Sequence, residues 1–212
     1  MINSGLLAGI IFIIMYVFIA SEKINRTVVA MLGSLLMVLT GIITQEKAIH
    51  HIDFNTLGLL IGMMIIVAIT GQTGVFNYIA IYAAKVAKGE PKRILIILAL
   101  ITAVCSAFLD NVTTVLLIVP VTISITKKLK VDPIPFLITQ IIASNIGGTA
   151  TLIGDPPNIM IGSAVKELTF LAFIQNLAPI AVITLIVVVG ILSFLYRKKL
   201  MAQDSLNAEI MK

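Results

Sequence analysis

Apolar runs recur almost end to end in this chain, separated by short polar intervals. Read by length, they predict membrane helices at about 5–20, 28–44 and 57–70, the last continuing after "GQTG" (71–74) into a helix-like 75–87. Two shorter apolar stretches follow at about 94–109 and 112–126. Next comes 136–165, interrupted in its middle, and then an unbroken span at 170–195. The stretch beyond, "RKKLMAQDSLNAEIMK", is polar and predicts a segment in water.

Composition turns this pattern into a class. Of 212 residues 59% are hydrophobic and only 12% charged, against about 25% charged in soluble domains. The expectation is an all-α, multi-pass integral membrane protein whose first partner is the lipid bilayer. The net charge of +5 does not argue for a nucleic-acid partner, because membrane proteins collect Lys and Arg in cytoplasmic loops. Cys105 is the single cysteine, so the chain holds neither an internal disulfide nor a cysteine-based zinc site. The N-terminus lacks the basic segment of a secretory signal, and the first apolar run is expected to persist as a helix.

Charge placement sets the topology. Lys23 and Arg26, then Lys85, Lys88, Lys92 and Arg93, then Lys127, Lys128 and Lys130, and finally Arg197, Lys198, Lys199 and Lys212 make up 13 of the 15 basic residues. With these clusters cytoplasmic, only Lys47 and Lys166 face outward and the N-terminus is external. Region 94–126 then enters and leaves by one face. Its arms, 16 and 15 residues long, reach about 24 Å as helix, less than a hydrocarbon core of about 30 Å. The simplest expectation is a re-entrant helical hairpin with "LDNVTT" (109–114) at its tip; two slightly short crossings are the alternative. Five crossings result: 5–20, 28–44, the third helix, the broken helix and 170–195. An odd count inverts any second copy of the unit, as in the inverted repeats of secondary transporters. The chain divides accordingly into N-terminal scaffold helices (1–90), the hairpin and broken helix (91–168), a last helix (169–196) and a cytoplasmic tail (197–212).

Two of the ten acidic residues fall within these membrane segments. Asp110 is at the hairpin tip, and Asp155 is in the interruption "SNIGGTATLIGDPPN" (144–158). A carboxylate at membrane depth costs several kcal/mol unless paired, hydrated or bound to an ion, which makes both functional candidates, with Na⁺ or H⁺ as the coupling ion. Around them lie the small polar residues Asn111, Thr113, Thr114, Ser144, Asn145, Thr149, Thr151 and Asn158, of which Asn111, Thr113, Ser144, Asn145, Thr149 and Asn158 would supply neutral oxygen ligands. In the interruption, Ser144 or Asn145 is expected to end a first half-helix, and Gly147-Gly148 to supply non-helical backbone. Asp155, followed by Pro156-Pro157, is expected to cap a second half-helix. Carbonyls freed there suit a hard cation such as Na⁺. The plainer alternatives are that Asp155 is a capping residue in an interfacial loop and that Asp110-Asn111 is a turn pair satisfying its own backbone. His50 and His51, beside Asp53, are expected to form a solvated turn.

The stretches "SAFLDNVTTVLLIVPV" (106–121) and "SNIGGTATLIGDPPNIMIGS" (144–163) resemble the ArsB/NhaD group of the ion transporter superfamily. That group comprises arsenite permeases, sodium/proton antiporters and the P protein, and the wider superfamily includes citrate and dicarboxylate carriers. Asn145, Gly147, Gly148, Thr149, Gly154, Asp155, Pro156 and Asn158 match the pattern of its broken helix. The resemblance implies two inverted repeats, each with a re-entrant hairpin and a broken helix, usually in a homodimer. The dicarboxylate carriers bear Ser-Asn-Thr at the hairpin tip, where this chain has Asp110, Asn111 and Val112; the extra negative charge disfavours an anionic cargo. Family members are about twice this length, so the resemblance implies a fragment, or a site completed by a second repeat or a second chain. The leading expectation is a secondary transporter of an inorganic ion, of Na⁺/H⁺ antiport type, in the plasma membrane. Arsenite or antimonite export comes next, and organic anion carriage third. Outside that class stand an intramembrane aspartyl protease, whose G-x-G-D motif fails here at Leu152, and a structural assembly subunit.

Overall fold

A computed structural model describes residues 4–165 and 167–200, and all of its regular structure is helical. The outward Lys166 and the tail beyond 200 lie outside the described residues. Two compact units divide between Phe54 and Asn55.

In the first unit, α1 (Ser4–Ala20) and α2 (Arg26–Leu39) pack together, with Gly33 against the Met15 side chain. Asn25 caps α2, its side chain accepting from the Thr27 N–H at 2.9 Å. The helix stops at Leu39 rather than running to 44, because Gly41 turns the chain with φ +70. A short α3 (Gln45–His50) follows, capped by Thr44, and carries His50 at its last turn.

The second unit begins with α4 (Phe54–Gln72), ended by Gly74 at φ +78, and α5 (Val75–Val86). The hairpin is α6 (Pro91–Phe108) and α7 (Asn111–Lys128), joined by Leu109 and Asp110. Beside it lie α8 (Ile134–Thr149), α9 (Pro156–Ala164) and α10 (Phe170–Leu195). Three helices, α4, α6 and α10, have the length and apolar composition to cross a membrane.

The open end of the hairpin is an apolar core. Ile94, Leu95 and Leu98 of α6 meet Val121 and Ile125 of α7, Phe136 of α8, and Ala83 and Ala87 of α5. Contacts at this end bring the basic clusters at 85–93, 127–130 and 197–199 to one end of the unit, with Lys199 3.7 Å from Asp132. The chain therefore leaves and returns at the same end, as the charge pattern requires.

The arms are longer than the sequence suggested. Pro91 opens α6 at its first turn, and Lys92, Arg93, Lys127 and Lys128 are all helical. Charged heads on long apolar stems extend a membrane helix without entering the core. Each arm has 18 residues, about 27 Å, so short arms no longer argue for re-entry. The register against α10 supplies a different argument. Val189 of α10 packs on Ala99 and Ala103 of α6 and Ala143 of α8. Counting along antiparallel helices from that contact puts the tip level with about residue 180, so α10 continues about 15 Å beyond it. The hairpin turns well short of the full height of its neighbour.

Candidate functional site

The tip and the helix interruption are built around a backbone contact. Ala99, Thr102, Ala103 and Ser106 line one face of α6, and Ala143, Ser144, Gly147 and Gly148 the facing side of α8; all are buried. Small residues four apart allow two membrane helices to touch along their backbones. A Cβ on Gly147 would collide with the carbonyl and Cα of Ala103, and one on Gly148 would lie 2.6 Å from the Gly154 carbonyl oxygen.

This corrects the expected break. Neither Ser144 nor Asn145 ends the half-helix; α8 runs on through Gly147 and Gly148 to Thr149. Both glycines have helical geometry, and what they provide is the absence of a side chain where helices and loop converge. The irregular stretch is 150–155, and Gly154 packs there against the Gly148 and Ser106 backbones.

Side chains then tie the loop down. The Ser106 hydroxyl donates to the Ser144 carbonyl at 2.7 Å. Thr151 donates to the Ala107 carbonyl at the end of α6 and accepts from the Gly154 N–H at 3.1 Å. Asn158 Nδ2 reaches the carbonyls of Thr151 (3.0 Å) and Gly148 (3.3 Å). Asn111 Nδ2 donates to Asn145 Oδ1 at 2.8 Å, linking the start of α7 to α8. Of the carbonyls in the interruption, those of Ser144, Gly148 and Thr151 are thus already engaged by side chains.

The two carboxylates differ. Asp110 is 7% exposed and caps α7, accepting from the Thr113 N–H at 2.8 Å and from the Thr113 hydroxyl. This is the local satisfaction a turn pair provides, and it meets the cost of burying the group. Asp155 occupies the cap position of α9 with extended backbone, yet its side chain makes no capping bond. The sequence explains this. Pro156 and Pro157 offer no N–H, and the Asn158 N–H goes to the Asp155 backbone carbonyl at 3.0 Å. The half-buried Asp155 carboxylate is left without a capping bond at the end of the irregular stretch.

Of the remaining residues, Thr114 is fully buried with its hydroxyl unpartnered, and Thr149 is exposed and bonds back to the Ile146 carbonyl at 2.7 Å. Ser106 was not picked out from sequence, and Thr151 only as one of the small polar neighbours of Asp155. Their signal was a hydroxyl one helical turn before Asp110, and one inside the glycine-rich break. Nor was Gln140, fully buried in α8, whose Nε2 donates to Thr122 Oγ1 of α7 at 2.8 Å while its Oε1 has no partner. Among the described residues, no three His, Cys, Asp or Glu side chains gather as a metal site would require.

The model of the citrate transporter family matches residues 16–208. The chain belongs to that family. An uncharacterized transporter of Mycobacterium tuberculosis is 47% identical over 196 residues, covering 91% of this chain and 46% of its own length. A 46 kDa membrane protein of Mycobacterium leprae is 43% identical over 211 residues, 98% of this chain and 49% of the relative. The human P protein is 47% identical over 167 residues, 76% of this chain and 19% of that protein. The chain thus spans about half the length of the mycobacterial relatives it matches. The family is one of transporters and the Mycobacterium tuberculosis relative is named a transporter, which removes the aspartyl protease alternative.

Proposed function

We propose that this chain forms one half of a secondary transporter in the plasma membrane, with its N-terminus outside. Asp110 and Asp155 contact a small inorganic cation or a proton. The observation carrying this is the half-buried Asp155 carboxylate, which the double proline leaves without its capping bond, in a loop that Thr151 ties to the end of the hairpin arm next to buried Asp110. Two like charges in such surroundings favour binding a cation or sharing a proton, and competition between Na⁺ and H⁺ for them is the simplest exchange mechanism. The extra negative charge of Asp110 at the hairpin tip and the likeness of the two motifs to the ArsB/NhaD group support this over anion carriage. The remaining ligands come from a second half or from a second copy of the chain.

Citrate carriage is the second reading, and it rests on the family match. With Asp110 and Asp155 beside the path, a tricarboxylate would need its charge offset by protons or a cation. Arsenite has no soft thiolate cluster, since Cys105 stands alone.

Proteoliposomes carrying a pH-sensitive dye test these readings with Na⁺, arsenite or citrate added outside. Na⁺-driven proton movement that falls at least tenfold in both Asp110→Asn and Asp155→Asn supports the proposal. Wild-type flux that both variants leave unchanged overturns the site. Flux driven by citrate alone selects the second reading.

A further inference from the structure

We infer that the groove between α6 and α10 is a binding site for one anionic phospholipid. The groove encloses about 530 Å3 and runs from Leu185 to Arg197, about 18 Å along α10. Its walls are apolar, with Ile96 and Leu100 on one side and Leu185 and Phe194 on the other. Its chemistry changes at the end where the basic clusters gather. Lys92 stands in the first turn of α6, and Arg197 follows α10 with its guanidinium 5.5 Å from the centre of the Phe194 ring. Among the described residues neither forms an ion pair, whereas neighbouring Arg93 pairs with Glu90 at 2.5 Å and Lys199 lies 3.7 Å from Asp132.

Ser193 supplies the second observation. It lines the groove one helical turn from Arg197, is only 5% exposed, and its hydroxyl has no hydrogen-bond partner. Three buried hydroxyls in these helices return to a carbonyl one turn back, Thr102 to Leu98 at 2.7 Å, Thr139 to Pro135 at 2.7 Å and Thr122 to Ile118 at 3.1 Å, whereas Ser193, like Thr114 at the hairpin tip, has no partner. An unpaired buried donor is costly, and an acceptor arriving with a ligand removes the cost.

One molecule meets all three features in the order the groove presents them. An acyl chain fits the apolar slot, an ester carbonyl accepts from Ser193, and a phosphate lies between Lys92 and Arg197. A second copy of the chain would set the same two cations against the like-charged end of its partner. The groove between α5 and α7, about 590 Å3, also ends in two lysines, Lys85 and Lys128, but no buried unpartnered hydroxyl lines it.

Native mass spectrometry of the full chain, released from nanodiscs containing phosphatidylglycerol and phosphatidylcholine, tests this. The wild type should retain one phosphatidylglycerol in preference to phosphatidylcholine, and inorganic phosphate should not displace it. At about fivefold per cation, Arg197→Gln should weaken retention about fivefold and the Lys92→Gln/Arg197→Gln pair about 25-fold. Ser193→Ala should weaken both lipids equally. Lys85→Gln/Lys128→Gln should leave retention unchanged, and Leu185→Trp, filling the slot, should abolish it in a protein of unaltered helix content. Equal retention of the two lipids overturns the proposal, as does an equal loss in the Lys85/Lys128 pair or protomer pairing that excludes lipid.

Discussion

At the open end of the hairpin, large side chains fill the space between helices: Ile94, Leu95, Leu98, Ile125 and Phe136 form an oily core ringed by lysines and arginines. At the tip the helices meet backbone to backbone, through Ala103, Gly147, Gly148 and Gly154, and the polar groups are carboxylates, hydroxyls and amides. The first construction tolerates small shifts, because apolar side chains can repack. The second does not, because neither backbone can yield. The proposed function fits this division: a transport site would need fixed ligand geometry, and a helix end in the headgroup region only burial and positive charge.

Substitutions should break the comparison in graded ways, read as thermal unfolding in one detergent. Phe136→Ala removes a fully buried ring at the open end and should cost about 3–5 kcal/mol. Gly147→Ala adds a single methyl at the tip, yet should cost about 1–3 kcal/mol despite the better helix propensity of alanine. The same change at Gly58 of α4, where nothing lies within 4 Å, should instead stabilise by up to about 1 kcal/mol. Opposite signs at Gly147 and Gly58 confirm the backbone contact; a neutral Gly147→Ala removes it. Ser106→Ala deletes one bond to a helical carbonyl and should cost about 1 kcal/mol. Lys199→Gln loosens an ion pair at 3.7 Å whose lysine is largely exposed and should cost under about 0.5 kcal/mol.

The sequence made the helices and the hairpin legible because apolar runs, lysine clusters and prolines each carry a local physical meaning. Asp155 before Pro156-Pro157 announced the start of α9 in this way. Pairing between helices left no such mark. Gly147 and Gly148 looked like breakers because glycine usually frees a backbone; here they are helical, and Ala103, the partner of Gly147, lies 44 residues earlier in an unremarkable apolar run. Arm lengths were underestimated because lysines were counted as loop, although α7 carries Lys127 and Lys128 within its last turn. In the site, the carboxylates stood out by their rarity. Ser106 and Gln140 did not, since a lone hydroxyl or amide in a membrane helix gains meaning only from the neighbour it reaches.

The depth of the hairpin tip tests the central claim most directly. Nitroxide labels at exposed Val112 and at Phe170, in a Cys105→Ser background, can be placed along the bilayer normal by their relative accessibility to oxygen and to a polar nickel chelate. The account predicts the Val112 label about 15 Å deeper than the Phe170 label, within the hydrocarbon. A Val112 label level with Phe170, in the headgroup layer, would contradict it.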